Sequence, residues 1–130
     1  MKTSQRIISF LMGYFLYCLF EIVTRGYTHW TMGITGGIVL TMLYEVNRRD
    51  GMTLLKSCYI GALLITALEL AVGIFDNIIM HWQVWDYSDM PLNFLGQICL
   101  PFSCLWFILC VPVYFICKTL RNMFSQRGIE

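Results

Sequence analysis

Two carboxylic acids interrupt long apolar runs in this chain. Glu21 follows Phe15-Leu16-Tyr17-Cys18-Leu19-Phe20, and Glu69 follows Leu63-Leu64-Ile65-Thr66-Ala67-Leu68. An acid in such surroundings can bind a proton or a cation, hold the amine of a substrate, or accept hydrogen bonds that staple helices together. For the structural role the nearby partners are Tyr14, Tyr17, Thr24, Thr66 and Arg25. Glu21 stands 14 residues past Ile7, and Glu69 stands 15 past Leu54, where the respective apolar blocks begin. On a helix both acids reach about 21 to 23 Å along the axis. Placing a carboxylic acid deep in hydrocarbon costs roughly 2.5 to 3.5 kcal/mol on insertion scales. Two of them at matching depth therefore point to a use.

A second group of polar residues lies between Asp76 and Gln97. This stretch carries Asp76, Asp86 and Asp89 with no Lys or Arg, together with Trp82, Trp85 and Tyr87. The aromatic residues suit an interfacial belt at the membrane surface. Asp86 and Ser88 can turn the chain, Pro91 and Asn93 can fix a bend, and Gly96 permits close backbone approach. The segment reads either as a rigid cap over a helix bundle or as a partly re-entrant loop. In the second reading Asp86, Asn93 and Gln97 line a pocket floored by Glu21 and Glu69. Six cysteines, Cys18, Cys58, Cys99, Cys104, Cys110 and Cys117, form no CxxC pair and no His stands at ligand spacing. They read as small buried hydrophobes, so neither a metal nor another cofactor is expected.

The elements that must position these groups follow from composition. Of the 130 residues, 58% are hydrophobic and 13% charged, with a mean hydropathy of +0.65. A water-soluble domain carries about a quarter charged residues. The apolar residues also run in blocks rather than in one helical stripe, which makes lipid the solvent. Four transmembrane helices are expected, at about 7–23, 30–46, 54–75 and 98–120, in one all-α domain covering 1–130. The first block does not read as a cleaved signal peptide, because it contains Glu21 and no small-residue cleavage site precedes Arg25. With the N-terminus inside, Lys2, Arg6, Arg48, Arg49, Lys56, Lys118, Arg121 and Arg127 fall on the cytoplasmic side, and Arg25 alone falls outside. The positive-inside rule thus places both termini in the cytoplasm and the protein in the cytoplasmic membrane. Asn47-Arg48-Arg49-Asp50-Gly51 reads as a tight polar turn there. No basic patch exists to bind nucleic acid.

Two further patterns bear on assembly. Gly33 and Gly37 form a GxxxG spacing that lets another helix approach closely, and Pro112 is expected to kink the last span. Each buried acid is also followed by a His-Trp pair, His29-Trp30 or His81-Trp82, and then by a glycine and an inward span. This suggests a parallel duplication of a two-helix unit. The acid-to-His separations of 8 and 12 residues differ, so duplication and chance similarity stand level.

The string Trp85-Asp86-Tyr87-Ser88-Asp89-Met90-Pro91-Leu92-Asn93-Phe94-Leu95-Gly96-Gln97-Ile98-Cys99-Leu100-Pro101-Phe102-Ser103 resembles the W-D-Y-S-x-x-P-x-N-x-x-G-x-I-x-L-x-x-S signature of bacterial membrane proteins of the CmpB type, a family named as ABC transporter permeases. Glu69-x3-Gly73 is similar to the family pattern, as is Glu21 followed by Arg25-Gly26. The glycine-proline stretch usual after that element is replaced by Gly33, Ile34, Thr35, Gly36 and Gly37. The resemblance implies a transporter subunit of the bacterial inner membrane. The chain has no Walker motif, so any ATPase is a separate polypeptide.

Three functions remain open. The first is a transporter or transporter subunit for a small cationic or amphipathic solute or for protons, binding through Glu21, Glu69, Asp86, Asn93 and Gln97. Four helices enclose little room, so a homodimer or a larger membrane partner is expected. The second is a non-catalytic assembly or regulatory subunit that recruits its partner through the GxxxG face. The third and weakest is an outer-face enzyme on a lipid-linked substrate, with His81, Asp86, Asp89 and Glu69 as general acid and base.

Overall fold

The computed structural model describes residues 3–49 and 51–127. Lys2 and the Asp50 of the polar turn lie outside them. Among the described residues there are four α-helices: α1 (Thr3–Arg25), α2 (Trp30–Asn47), α3 (Leu54–Gly73) and α4 (Leu100–Gln126). A π-helical turn, Ile74–Ile79, prolongs α3. Two short antiparallel strands, β1 (Asn93–Phe94) and β2 (Ile98–Cys99), close the loop that leads into α4.

Thr3–Arg25, Leu54–Ile79 and Leu100–Gln126 are each long and apolar enough to cross a membrane. α2 is shorter, with 18 residues, and carries Gly and Thr where the other helices carry larger apolar side chains. Its packing explains its composition. It touches α1, α3 and α4, and most of its residues from Thr31 to Tyr44 are buried. A helix wrapped by other helices has little lipid to face and needs no continuous apolar coat.

The distribution of side chains is the reverse of that in a water-soluble bundle. Phe15 is 65% exposed, Leu55 71% and Ile108 62%, while Gln5, Ser9, Ser57, Glu21 and Glu69 are buried. Such a surface is stable only where the surrounding medium is itself apolar. The protein is a membrane protein.

The glycine face of α2 is already occupied. A Cβ at Gly33 would strike the Tyr14 ring, one at Gly37 the Phe10 ring, and one at Gly36 the Tyr17 Cβ. Gly13 of α1 in turn lies against the Gly36 carbonyl and Leu40. The GxxxG spacing therefore seats α1 within this chain, and the surface expected to recruit a partner is consumed by intramolecular packing.

Two expected boundaries move. The third span does not end at Phe75, because apolar residues on both sides of Asp76 continue the helix as π-turns to Ile79. The fourth helix begins at Leu100, after Ile98 and Cys99 pair in the hairpin, and runs to Gln126 through Pro112. Its extra turn is held by Phe124, which is buried edge-on against Tyr44 at 5.6 Å between ring centroids. Thr53 caps α3 by accepting from the Lys56 N–H at 3.3 Å, and Gly51 supplies the left-handed backbone of the turn before it.

Overpacking the α1–α2 seam tests this arrangement. Gly36→Val is expected to destabilise the folded protein by about 1 to 3 kcal/mol. The lipid-facing Ile34→Leu should stay within about 0.5 kcal/mol. Denaturant unfolding in bicelles measures both.

Candidate functional site

At the end of the bundle that carries the 80–99 loop, a cavity of about 470 Å³ lies between α1, α3, α4 and that loop. Glu21 from α1 and Glu69 from α3 both open into it, each only 4% exposed, and Asp86 from the loop joins them. Of the five residues expected to form a pocket, the cavity brings together these three acids. The two helix-borne acids come from different helix pairs, α1–α2 and α3–α4, so only the packed bundle brings them together.

Each acid has its own hydrogen-bond setting. Arg25, one turn beyond Glu21, donates from Nη1 to Glu21 Oε2 at 2.9 Å. Its Nη2 donates to the Tyr27 hydroxyl at 2.8 Å and to the Val84 carbonyl, which ties α1 to the loop. The guanidinium also lies 4.6 Å from the centroid of the Tyr27 ring. Glu21 Oε1 is buried without a hydrogen-bond partner among the described residues. Glu69 accepts from the Tyr87 hydroxyl at 3.1 Å and from Trp106 Nε1 at 3.4 Å. Burial and the neighbouring Glu69 carboxylate push the Tyr87 phenol up, so it remains a donor.

The loop is aimed by Asn77, which sits in the π-helical turn. Its Oδ1 accepts from the Val84 N–H at 2.7 Å and the Trp85 N–H at 3.4 Å, and its Nδ2 donates to Gln97 Oε1 at 2.7 Å. Trp85 Nε1 donates to the Gln97 carbonyl at 2.9 Å. These bonds fold Trp85 and Tyr87 inward, where Tyr87 stacks on Phe102 at 4.7 Å. The interfacial belt expected of Trp82, Trp85 and Tyr87 is therefore reduced to Trp82. That residue stays on the surface beside His29 and Trp30. The other two turn in because their polar atoms find partners inside.

Gln97 and Asn93 serve the loop rather than the cavity wall. Gln97 is buried, and its Nε2 also donates to the Leu95 carbonyl at 2.9 Å. Asn93 is exposed, donates to the Met90 carbonyl at 2.9 Å and accepts from the Gly96 N–H at 3.2 Å. His81 and Asp89 are exposed and do not line the cavity, so the acid–base set of the enzyme reading is not assembled. The two His-Trp pairs also differ in setting: His29 caps α2, whereas His81 has a left-handed backbone.

Some residues of the site were not visible as such in the sequence. Trp106 lies inside an apolar block with no local mark of the site, and Tyr17 is expected there only as a hydrogen-bond partner of an acid, whereas both line the cavity. Asp76, placed by its sequence at the start of a loop, is 0% exposed and accepts from Thr31 Oγ1 at 2.5 Å. Its one local signal is the apolar run on both sides, Ile74-Phe75 and Ile78-Ile79-Met80.

The architecture defines an α-helical membrane protein with an acid-bearing internal cavity. The chain belongs to the family described as "Putative ABC-transporter type IV" (ABC_trans_CmpB), whose model matches residues 30–128. The match covers α2 to α4 and so includes Glu69, Tyr87 and Trp106, while Tyr17, Glu21 and Arg25 precede it. No curated protein and no solved structure matches the chain.

Two measurements test the loop. Asn77→Ala removes the shared partner of Val84, Trp85 and Gln97, and should cost about 1 to 3 kcal/mol in local stability. Hydrogen exchange across 84–97 should accelerate accordingly. The Ser88 hydroxyl and N–H hold the Asp86 carboxyl below the usual aspartate range. This contribution is present above the ordinary Asp pKa and is lost as pH falls through the lowered value. Ser88→Ala should therefore raise the Asp86 pKa seen by NMR titration towards its ordinary value.

Proposed function

We propose that this chain is the cation-binding membrane component of a transporter, with residues 1–130 acting as one four-helix unit. In this reading α2 also spans the bilayer, and both ends of the chain lie on the cytoplasmic side of the cytoplasmic membrane. The observation that carries the proposal is the opening of Glu21 and Glu69 into one cavity. Membership of an ABC-transporter-type family supports the transport role.

Electrostatics supports the same orientation. Arg48, Arg49, Lys118 and Arg121 surround a hollow of about 250 Å³ at the end opposite the acids. A basic end facing the cytoplasm satisfies the positive-inside rule and leaves the acidic cavity towards the outer face. A positively charged solute reaching that cavity exchanges water for carboxylate oxygens in a low-dielectric site, where the attraction is strongest. The class is a small cationic or amphipathic solute, or protons. The cavity occupies one end of the bundle, so passage across the membrane requires a second copy or a larger membrane partner, with an ATPase supplied separately.

Reconstitution in liposomes tests this function. Fluxes of methylamine and of protons are measured for the wild type, Glu21→Gln and Glu69→Gln. Each variant should lower the flux it supports at least about tenfold, equivalent to about 1.4 kcal/mol. Unchanged flux in both variants removes the acids from the mechanism.

A further inference from the structure

We propose that the cation taken by this cavity is a quaternary, N-methylated ammonium ion carrying an apolar chain. This rests on the cation-binding reading above and names its chemical class.

The wall of the cavity is dominated by aromatic rings. Tyr17 and Phe20 come from α1, Trp85 and Tyr87 from the loop, and Phe102 and Trp106 from α4. Aromatic faces attract cations through the ring quadrupole, and the attraction grows when water is excluded. The protein already shows this contact at the mouth, where the Arg25 guanidinium lies over Tyr27.

Hydrogen-bonding capacity discriminates between cations. A primary ammonium brings three donors and needs acceptors for all of them. A bare metal ion needs several oxygen ligands at close range. Here both Glu69 oxygens already accept, from Tyr87 and Trp106, and Glu21 Oε2 accepts from Arg25. The buried oxygen left without a donor among the described residues of the wall is Glu21 Oε1. The wall therefore offers negative charge and ring surface, and its carboxylates already take donors from Tyr87, Trp106, Arg25 and Ser88. A quaternary nitrogen needs charge balance and van der Waals contact, with no donors to satisfy.

A second feature identifies the rest of the ligand. An apolar crevice of about 280 Å³ shares Tyr17, Phe20 and Trp106 with the acid cavity. Leu16, Leu40, Ile65, Leu109 and Val113 line its continuation between the helices. A charged head among the rings and carboxylates can thus lie continuous with an alkyl chain in the crevice.

Equilibrium binding to the purified chain in zwitterionic nanodiscs tests the inference, with tryptophan fluorescence as readout. Octyltrimethylammonium is compared with octylammonium, both below their micellar concentrations. The trimethyl compound should bind roughly tenfold tighter, the advantage expected of desolvated cation–ring contacts. Phe102→Leu, with helicity checked by circular dichroism, should weaken octyltrimethylammonium more than octylammonium and so erase most of that advantage. Equal or tighter binding of octylammonium by the wild type overturns the inference and leaves the cation reading standing. Absence of binding by both compounds overturns the cation reading itself. Binding that persists in the Glu21→Gln/Glu69→Gln double variant is partition into lipid, and overturns both.

Discussion

A carboxylic acid inside a membrane cannot face hydrocarbon, and this constraint organises the protein. Glu21 and Glu69 each lie on the face of a helix that also buries small and polar residues, Ser9 and Gly13 on α1 and Ser57 and Gly61 on α3. Large apolar side chains elsewhere on each helix face lipid. Two helices carrying acids at similar height then meet around one cavity rather than packing dry. The rest of the bundle provides the support. α2, with its glycines against Phe10, Tyr14 and Tyr17, brings α1 close enough for Tyr17 and Glu21 to reach the site. α4 supplies Trp106, whose indole N–H meets Glu69.

Closing the mouth requires the chain to return over the bundle without leaving backbone groups unpaired. The π-helical turn after α3 carries Asp76 and Asn77 side by side for different purposes. Asp76 reaches Thr31 on α2 and fixes the turn to the bundle, while Asn77 engages the incoming loop. π-Turns of this kind recur at functional sites because they redirect side chains that a regular helix would send elsewhere. Gln97 completes the junction by holding Asn77 and Trp85 together. Of the patterned loop residues, Trp85, Asp86 and Tyr87 line the cavity, while Ser88, Asn93 and Gly96 hold the loop in shape.

Much of this was legible in the sequence because the signals were local. Apolar blocks mark the helices, and an acid inside such a block is conspicuous at once. The fate of Trp85 and Tyr87 was not legible, since a ring at a membrane surface and a ring under a cap have the same sequence context. Only partners at Gln97 and Glu69 decide between them. Asp76 escaped for the same reason: its partner Thr31 lies 45 positions away, so the residue resembled the start of a loop. The glycine face was legible as a contact surface but not as one consumed by α1, because a GxxxG spacing carries no information about which helix fills it.

The central claim is that carboxylates from two helix pairs act as one cation site. Carbon-13 NMR of the protein labelled at the glutamate carboxyls tests it most directly. On addition of octyltrimethylammonium, the account predicts that the Glu21 and Glu69 resonances shift together with one saturation curve. Glu45, paired with Arg48 at the opposite end, should stay unmoved. A shift of one acid alone, or equal movement of Glu45, would contradict a shared site.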